Sequence, residues 1–579
     1  MKTLGFLLCC AALTSGDLYI TNPRGSNNRL NWFTRDVRNN KRLFDSQNNN
    51  RGGYNVGDPM YYYEGSTLSI EWANQHSCAD QNANCELILQ YMCDDKIRDG
   101  ATSFSIVDNQ DLNPGFGMHE EWNHYLYCRT RQRNKGLFLA DQNLRFNDAR
   151  FTRQNNGGTK SGYECPEERD YYPYWYHSPW KDIVVMTNNV ERCDYYQKES
   201  NNVKSRWGCV VDRNKLNRFY RWPLFIIPDN KEDCENFEIF RQPVSANWTE
   251  FPAHDIPPPK CIKAPWSRDN HNGNGIGGNF NTYDWVIPEG IAHEKCVLRM
   301  RYNISTNDYD SWNTDASSNT DSDTDGSKID LSKTFKLPNK ETAEARGYVF
   351  KNNPDVQMFP GLDVKLTLAI NTAQFGRTFQ DRSHVFEIRQ RPTELKDVTI
   401  HNLNVRGKRG NNQQVYPAVE YDYVPNTLEI NTNDYVHVQW TGSDRNPHNN
   451  AGNGRRGTDR NNMVMLKNKV YPEGTPGLAY GGLDVLGQYG ANYPMHLDNV
   501  TRLIGASTET RAVLQKMALL APPRYGGHMF LLDNAKAYYD LGPLQFAKEG
   551  VFHYMCTRNN AFTNRSQKGR IIVRDASKK

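Results

Sequence analysis

Along much of this chain apolar residues return at every second position, the period of a half-buried β-strand. In Thr67–Trp72, Leu68, Ile70 and Trp72 alternate with polar neighbours. The same pattern predicts strands at Cys85–Tyr91, Tyr283–Pro288, Cys296–Asn303, Val364–Ala369, Val385–Arg389, Leu428–Ile430, Tyr435–Trp440, Val551–Cys556 and Arg570–Arg574. Asp182–Met186 is apolar without alternation after its first residue, which predicts a strand buried on both faces. One segment has helical spacing, Ser507–Leu520: Ser507 caps it, Val513, Leu514, Met517 and Leu520 form its stripe, and Pro522-Pro523 stop it. Residues 17 to about 60 are rich in Asn and Arg and read as a polar arm that packs on other parts.

These elements predict a mostly β, multidomain protein: a disulfide-rich N-terminal region followed by β-sandwich domains. The expected division is a leader at 1–16, a cystine-rich β domain with its arm at 17–230, a sandwich carrying an acidic loop (313–332) at 231–390, and a last sandwich at 391–579. A length of 579 residues suits roughly three or four domains.

The first residues change the picture most. Met1–Gly16 has a basic Lys2, an apolar run from Leu4 to Leu13 and small residues at Thr14-Ser15-Gly16, the form of a signal peptide. The expectation is a soluble, secreted protein with its thiols in an oxidising compartment and no membrane insertion. Of thirteen cysteines, Cys9 and Cys10 leave with the leader. Ten form a group: Cys78, Cys85, Cys93, Cys128, Cys165, Cys193, Cys209, Cys234, Cys261 and Cys296. An even group predicts five disulfides of open connectivity, with Cys556 outside them. Sequons at Asn247, Asn303, Asn499 and Asn564 are candidate N-glycosylation sites. A net charge of +4 without a basic stripe argues against nucleic acid as a partner.

Candidate chemistry is sparse. His119 and His124 flank a pair of glutamates, but five positions set them about 140° apart on a helix, so they do not form the zinc-protease pattern. The aromatic run Tyr171–Trp180 is either a platform for sugar rings or a folded-back piece of core; the scarcity of other core formers favours core. Asp321, Asp323 and Asp325, followed by Gly326, have calcium-loop spacing. Lys328 and Ser332 stand where such a loop needs an apolar residue and a glutamate, so a solvated acidic loop is the preferred reading.

Val551–Cys556 resembles the closing strand of a cupredoxin domain, which delivers a cysteine to copper. Val436–Trp440, followed by Asn446-Pro447-His448, resembles the strand and loop that present the first copper histidine. A blue-copper site needs two histidines and a cysteine, usually with an axial methionine. After Cys556 the chain offers Asn559, Asn560 and Asn564 instead. His448 and Cys556 therefore form at most a vestigial copper site, with His528 or His496 as non-standard completions. No cofactor is expected; copper and calcium are the alternatives.

Longer stretches carry a family resemblance: Leu18–Leu30 (LYITNPRGSNNRL), Arg133–Asp141 (RNKGLFLAD), Cys165–Tyr174 (CPEERDYYPY), Cys296–Ser305 (CVLRMRYNIS) and Asn559–Gly569 (NNAFTNRSQKG). The chain resembles the secreted "DD-three-three" family, named from a slime-mould developmental protein and found in aquatic invertebrates. The resemblance spans nearly the whole mature chain. It implies a secreted glycoprotein and brings no enzyme activity, cofactor or catalytic residue. The favoured reading is a non-catalytic glycoprotein of the extracellular space or matrix that binds proteins or glycans. The alternative is an extracellular copper redox protein, or an oxidase acting on extracellular polymers.

Overall fold

The computed structural model describes residues 18–25, 58–74, 83–95, 177–211, 228–267, 279–306, 381–406, 421–442, 460–465, 537–556 and 567–578, apart from isolated positions within them, with a few short pieces elsewhere. Ser507–Leu520 lies outside the described residues. Among the described residues no helix is long and apolar enough to cross a membrane.

Strands dominate. The larger N-terminal sheet runs in the order Lys260–Lys263, Lys181–Thr187, Ala83–Cys93, His293–Thr306, Phe386–Arg389 and Tyr61–Tyr63, with Thr378–Arg382 also paired to His293–Thr306. Its centre is the long antiparallel ladder between 83–93 and 293–306, in register from Cys93↔Cys296 to Ala83↔Thr306. Strand alternation gives this centre one apolar face and one mixed face, where buried Glu86, Gln90, Arg299, Arg301 and Asn303 stand among Ile88, Met92 and Val297. Leu87, Leu89 and Tyr91 enter the main core, while Ile88 on the other face packs with Val185 and Tyr196.

A second sheet lies against the first. It runs Leu18–Asn22, Thr67–Asn74, Ile400–Val405, Tyr435–Trp440 and Tyr539–Gln545, with Asn281–Val286 added to 67–74 and Tyr423–Val424 to 400–405. Leu18, Ile20, Leu68, Ile70 and Trp72 from this sheet meet Val184, Met186, Leu298, Met300 and Tyr302 from the other, a sandwich core of the usual face-to-face kind. A four-stranded sheet, Thr427–Asn431, Lys568–Arg574, Gly550–Met555 and Val464–Met465, makes the C-terminal sandwich. Leu428, Ile430, Phe552, Ile571 and Val573 pack there on Leu403, Val405, Val436, Val438 and Trp440.

Two expected boundaries do not coincide with sheet boundaries. The ladder between 83–93 and 293–306 crosses the division placed at 230/231. The second sheet crosses the division placed at 390/391, through a parallel bridge between Thr67 and His401. Local alternation marks a strand but does not name its neighbour, so segments far apart in sequence share one sheet.

Among the described residues, four disulfides join Cys78–Cys85, Cys93–Cys296, Cys193–Cys261 and Cys209–Cys234. Cys128 and Cys165 lie outside the described residues, and Cys556 is a buried thiol. Of the aromatic run, Trp180 is fully buried, with the guanidinium carbons of Arg299 and Arg382 at 4.4 and 4.7 Å from its ring. Tyr171–Tyr176 lie outside the described residues.

Candidate functional site

Strand 550–555 carries the chain into the C-terminal core and ends at Cys556, which is 0% exposed. Its backbone N–H donates to the Gln567 carbonyl at 3.0 Å. Alternation sends Phe552, Tyr554 and Cys556 to one face. The ladder Val464↔Met555, continued by one residue, sets the buried Met463 across from Cys556. Tyr554 meets Tyr423 edge to face at 4.7 Å, and the Tyr423 hydroxyl donates to the Asn462 carbonyl at 2.6 Å. Burial pushes both phenols well above their ordinary range. The Cys556 core therefore combines a thiol, a thioether and aromatic rings with the aliphatic side chains of both sheets.

A blue-copper site also needs imidazoles. The described histidines of this domain are placed elsewhere. Val436, Val438 and Trp440 face the Cys556 core, so His437 points to the opposite side of its strand. His553 likewise alternates away from Cys556, and His401 Nε2 lies 3.2 Å from Asp434 Oδ2. His448, His496 and His528 lie outside the described residues. Among the described residues no group of three or more His, Cys, Asp or Glu side chains is placed to hold a metal. The described donors do not make a copper set, and no step through copper is derived.

His437 instead belongs to a polar cluster where the two sandwiches join. It is fully buried, with Nε2 2.8 Å from Asp540 Oδ1 and Nδ1 3.5 Å from Gln439 Nε2. The Gly542 N–H also donates to Asp540, at 2.8 Å. Burial works to raise the Asp540 carboxyl; the hydrogen bond and charge of His437, the Gly542 N–H and the Tyr61 hydroxyl outweigh it and leave the group below its usual range. Tyr61 lies 4.8 Å from the imidazole, under the Arg389 guanidinium at 3.7 Å. Burial, followed by the Asp540 charge, pushes the Tyr61 phenol up. Both ring nitrogens of His437 are thus engaged inside the protein, which ties its strand to the join.

The join is fastened by side-chain amides on backbone. Gln439 Nε2 donates to the Tyr61 carbonyl at 2.5 Å, and its Oε1 accepts from the Tyr61 N–H at 3.2 Å. Asn402 Nδ2 donates to Ser66 Oγ and to the Thr67 carbonyl, both at 2.9 Å. Arg406 forms a two-point pair with Glu71 at 2.7 Å on each side. Sequence reasoning missed this set. Its only signal was Asn402, Asn404 and Gln439 on strands whose other face is apolar, positions where asparagine is disfavoured unless its amide is used.

The other predicted residues are scattered. Asn247 is exposed on strand Ala246–Phe251. Asn303 is 7% exposed on a central strand of the larger sheet, and its Nδ2 donates to Glu86 Oε2 at 3.1 Å. The atom that would carry a glycan is committed to an internal hydrogen bond in a space without room for a sugar. Asn499 and Asn564 lie outside the described residues. Asp323 sits on the short strand Ser322–Asp323, paired with Lys328–Ile329; Asp321, Asp325, His119 and His124 lie outside the described residues.

A family model described as the DD3-3 N-terminal domain matches residues 16–388, and one described as the DD3-3 cupredoxin-like domain matches residues 398–573. No curated protein and no solved structure gives a match. The first match ends in Phe386–Arg389, the last strand of the larger sheet in sequence, and the second covers the sandwich around Cys556. The chain therefore belongs to the DD3-3 family, and its C-terminal domain is cupredoxin-like.

Proposed function

We propose that this protein is a secreted, non-catalytic glycoprotein of the extracellular space or matrix that binds protein or glycan partners. The observation that carries the reading is the set of four disulfides among the described residues of the N-terminal domain. Such a set persists in an oxidising compartment and is rare in the cytosol. The internal commitment of His437 and Asp540 supports a structural rather than catalytic use of that pair. For partners, the two-stranded sheet of Arg206–Val211 and Ala246–Phe251 offers an exposed Trp207 and the exposed sequon at Asn247. A large aromatic in solvent suits a sugar face or a protein anchor.

The test is expression with the native leader in a secreting cell. Protein in the medium, with a glycosidase-sensitive mass and the four bridges in non-reducing peptide maps, supports the reading. Retention in the cytosol with reduced thiols overturns it. The copper redox reading rests on the burial of Cys556 at a strand end in a cupredoxin-like domain. Stoichiometric copper in the secreted protein, with a thiolate charge-transfer band lost in Cys556→Ser, would replace the non-catalytic reading with that one.

A further inference from the structure

We propose that the join between the two domains is a proton-dependent lock, in which Glu71 of the N-terminal domain competes with Asp422 of the C-terminal domain for Arg406. All three side chains are buried, at 3%, 5% and 4% exposure respectively. Arg406 Nε and Nη2 donate to the two carboxyl oxygens of Glu71 at 2.7 Å each. The Thr21 hydroxyl donates to Glu71 Oε1, also at 2.7 Å. The guanidinium is further confined by the Phe280 ring, 3.8 Å away.

Asp422 lies on the other side. Its backbone carbonyl accepts the Arg406 N–H at 2.9 Å. Among the described residues its carboxyl accepts neutral donors: the Tyr423 N–H at 2.9 Å and Asn426 Nδ2 at 2.8 Å. Among the described residues the titratable or charged groups that face it are Arg406, Glu71, Tyr423 and Tyr554.

Two buried acids beside one guanidinium do not both ionise cheaply. Glu71 holds both guanidinium contacts and a hydroxyl, so the proton belongs on Asp422. Burial is the leading effect there and lifts that carboxyl to about 7, against the lowering by Arg406 and Asn426. The sign follows. A folded-state pKa above the ordinary carboxylate range gives stability that is full at acid pH and is lost as pH rises through about 7. Once Asp422 ionises, Arg406 finds a counter-charge within its own domain, and its hold on Glu71 weakens. The join is thus tightest at acid pH and loosens as pH rises to about 7, with no further loosening from this group above it.

The experiment uses the full-length secreted protein. Hydrogen exchange at 67–74 and 400–406, together with the unfolding midpoint, is followed from about pH 5 to about pH 8, after dividing out the intrinsic pH dependence of exchange. The opening equilibrium of the wild type should rise as pH climbs from the ordinary carboxylate range to about 7, by up to ~10-fold per pH unit for one proton, and level off above it. Asp422→Asn should flatten that rise. Glu71→Gln removes the competitor, so Arg406 turns to Asp422 and the midpoint of the rise should move to lower pH. If Asp422→Asn does not fold, the Glu71→Gln shift decides alone, since that variant retains a titrating Asp422. An unchanged slope in Asp422→Asn, or an unmoved midpoint in Glu71→Gln, overturns the lock.

Discussion

Cys93 and Cys296 face each other across the two central strands of the larger sheet, at a paired position with their α-carbons 4.1 Å apart, although 203 residues separate them in sequence. The bridge closes the longest of the described loops, so in the chain-entropy account it removes more unfolded-state freedom than the others. Replacing both cysteines by alanine should cost ~4–5 kcal/mol, and removing Cys78–Cys85 roughly half of that. Unfolding midpoints of the two double variants check this. Equal losses would contradict the loop-entropy account.

Gly569 lies under the Tyr554 ring. A Cβ at that position would come within 2.5 Å of the phenol oxygen and 2.6 Å of its ring carbon. Tyr554 is fully buried and has no room to retreat. Gly569→Ala should therefore destabilise the C-terminal domain by about 1–3 kcal/mol, the usual cost of overpacking. Adding Tyr554→Phe should recover only a small part, because the ring itself still clashes. Chemical denaturation of the single and double variants measures both effects.

Trp180 is held between Arg299 and Arg382, and its removal leaves a large cavity beside buried charges. Trp180→Ala should cost about 3–5 kcal/mol. Trp180→Phe should cost less, since it keeps a ring face for both cations. Reduced secretion of the alanine variant, with partial rescue by phenylalanine, is the expected result in cells.

The two described sequons should behave oppositely. Asn247→Gln should remove a glycosidase-sensitive mass and leave stability within about 0.5 kcal/mol of the parent. Asn303→Gln should leave the mass pattern unchanged and cost about 1–3 kcal/mol, because Glu86 loses a buried donor. Glycopeptide analysis and thermal unfolding separate the outcomes. A glycan found at Asn303 would show that the strand 293–306 does not sit in the sheet centre.

Asp540 sets the acid limb. Its carboxyl is held below the ordinary range in the folded protein, so its contribution is present above that range and is lost as pH falls through the lowered value. Asp540→Asn should lower stability near neutrality and flatten the loss on acidification. Unfolding midpoints at descending pH test it; a variant that keeps the wild-type acid slope would assign that slope to other groups.

Alternation in segments such as Thr67–Trp72 and Tyr435–Trp440 determined by itself that the chain is built from strands, because successive side chains of an extended backbone must face opposite ways. The even group of cysteines determined which part is bridged, and the strand ending at Cys556 pointed to the cupredoxin-like domain. Neighbours were a different matter. That Cys93 stands opposite Cys296, and that Thr67 and His401 share a sheet, depends on how whole sheets dock, and local pattern carries no record of that. The same limit hid the join. The strand Tyr435–Trp440 was legible as the lead into the His448 loop, but nothing in it marked His437, which strand parity and the position of Asp540, 103 residues onward, turn toward Tyr61. Asn402, Gln439 and Glu71 read as ordinary polar faces. Only the tertiary structure buried those faces against another domain, where each donor and acceptor had to find a partner because water could no longer supply one.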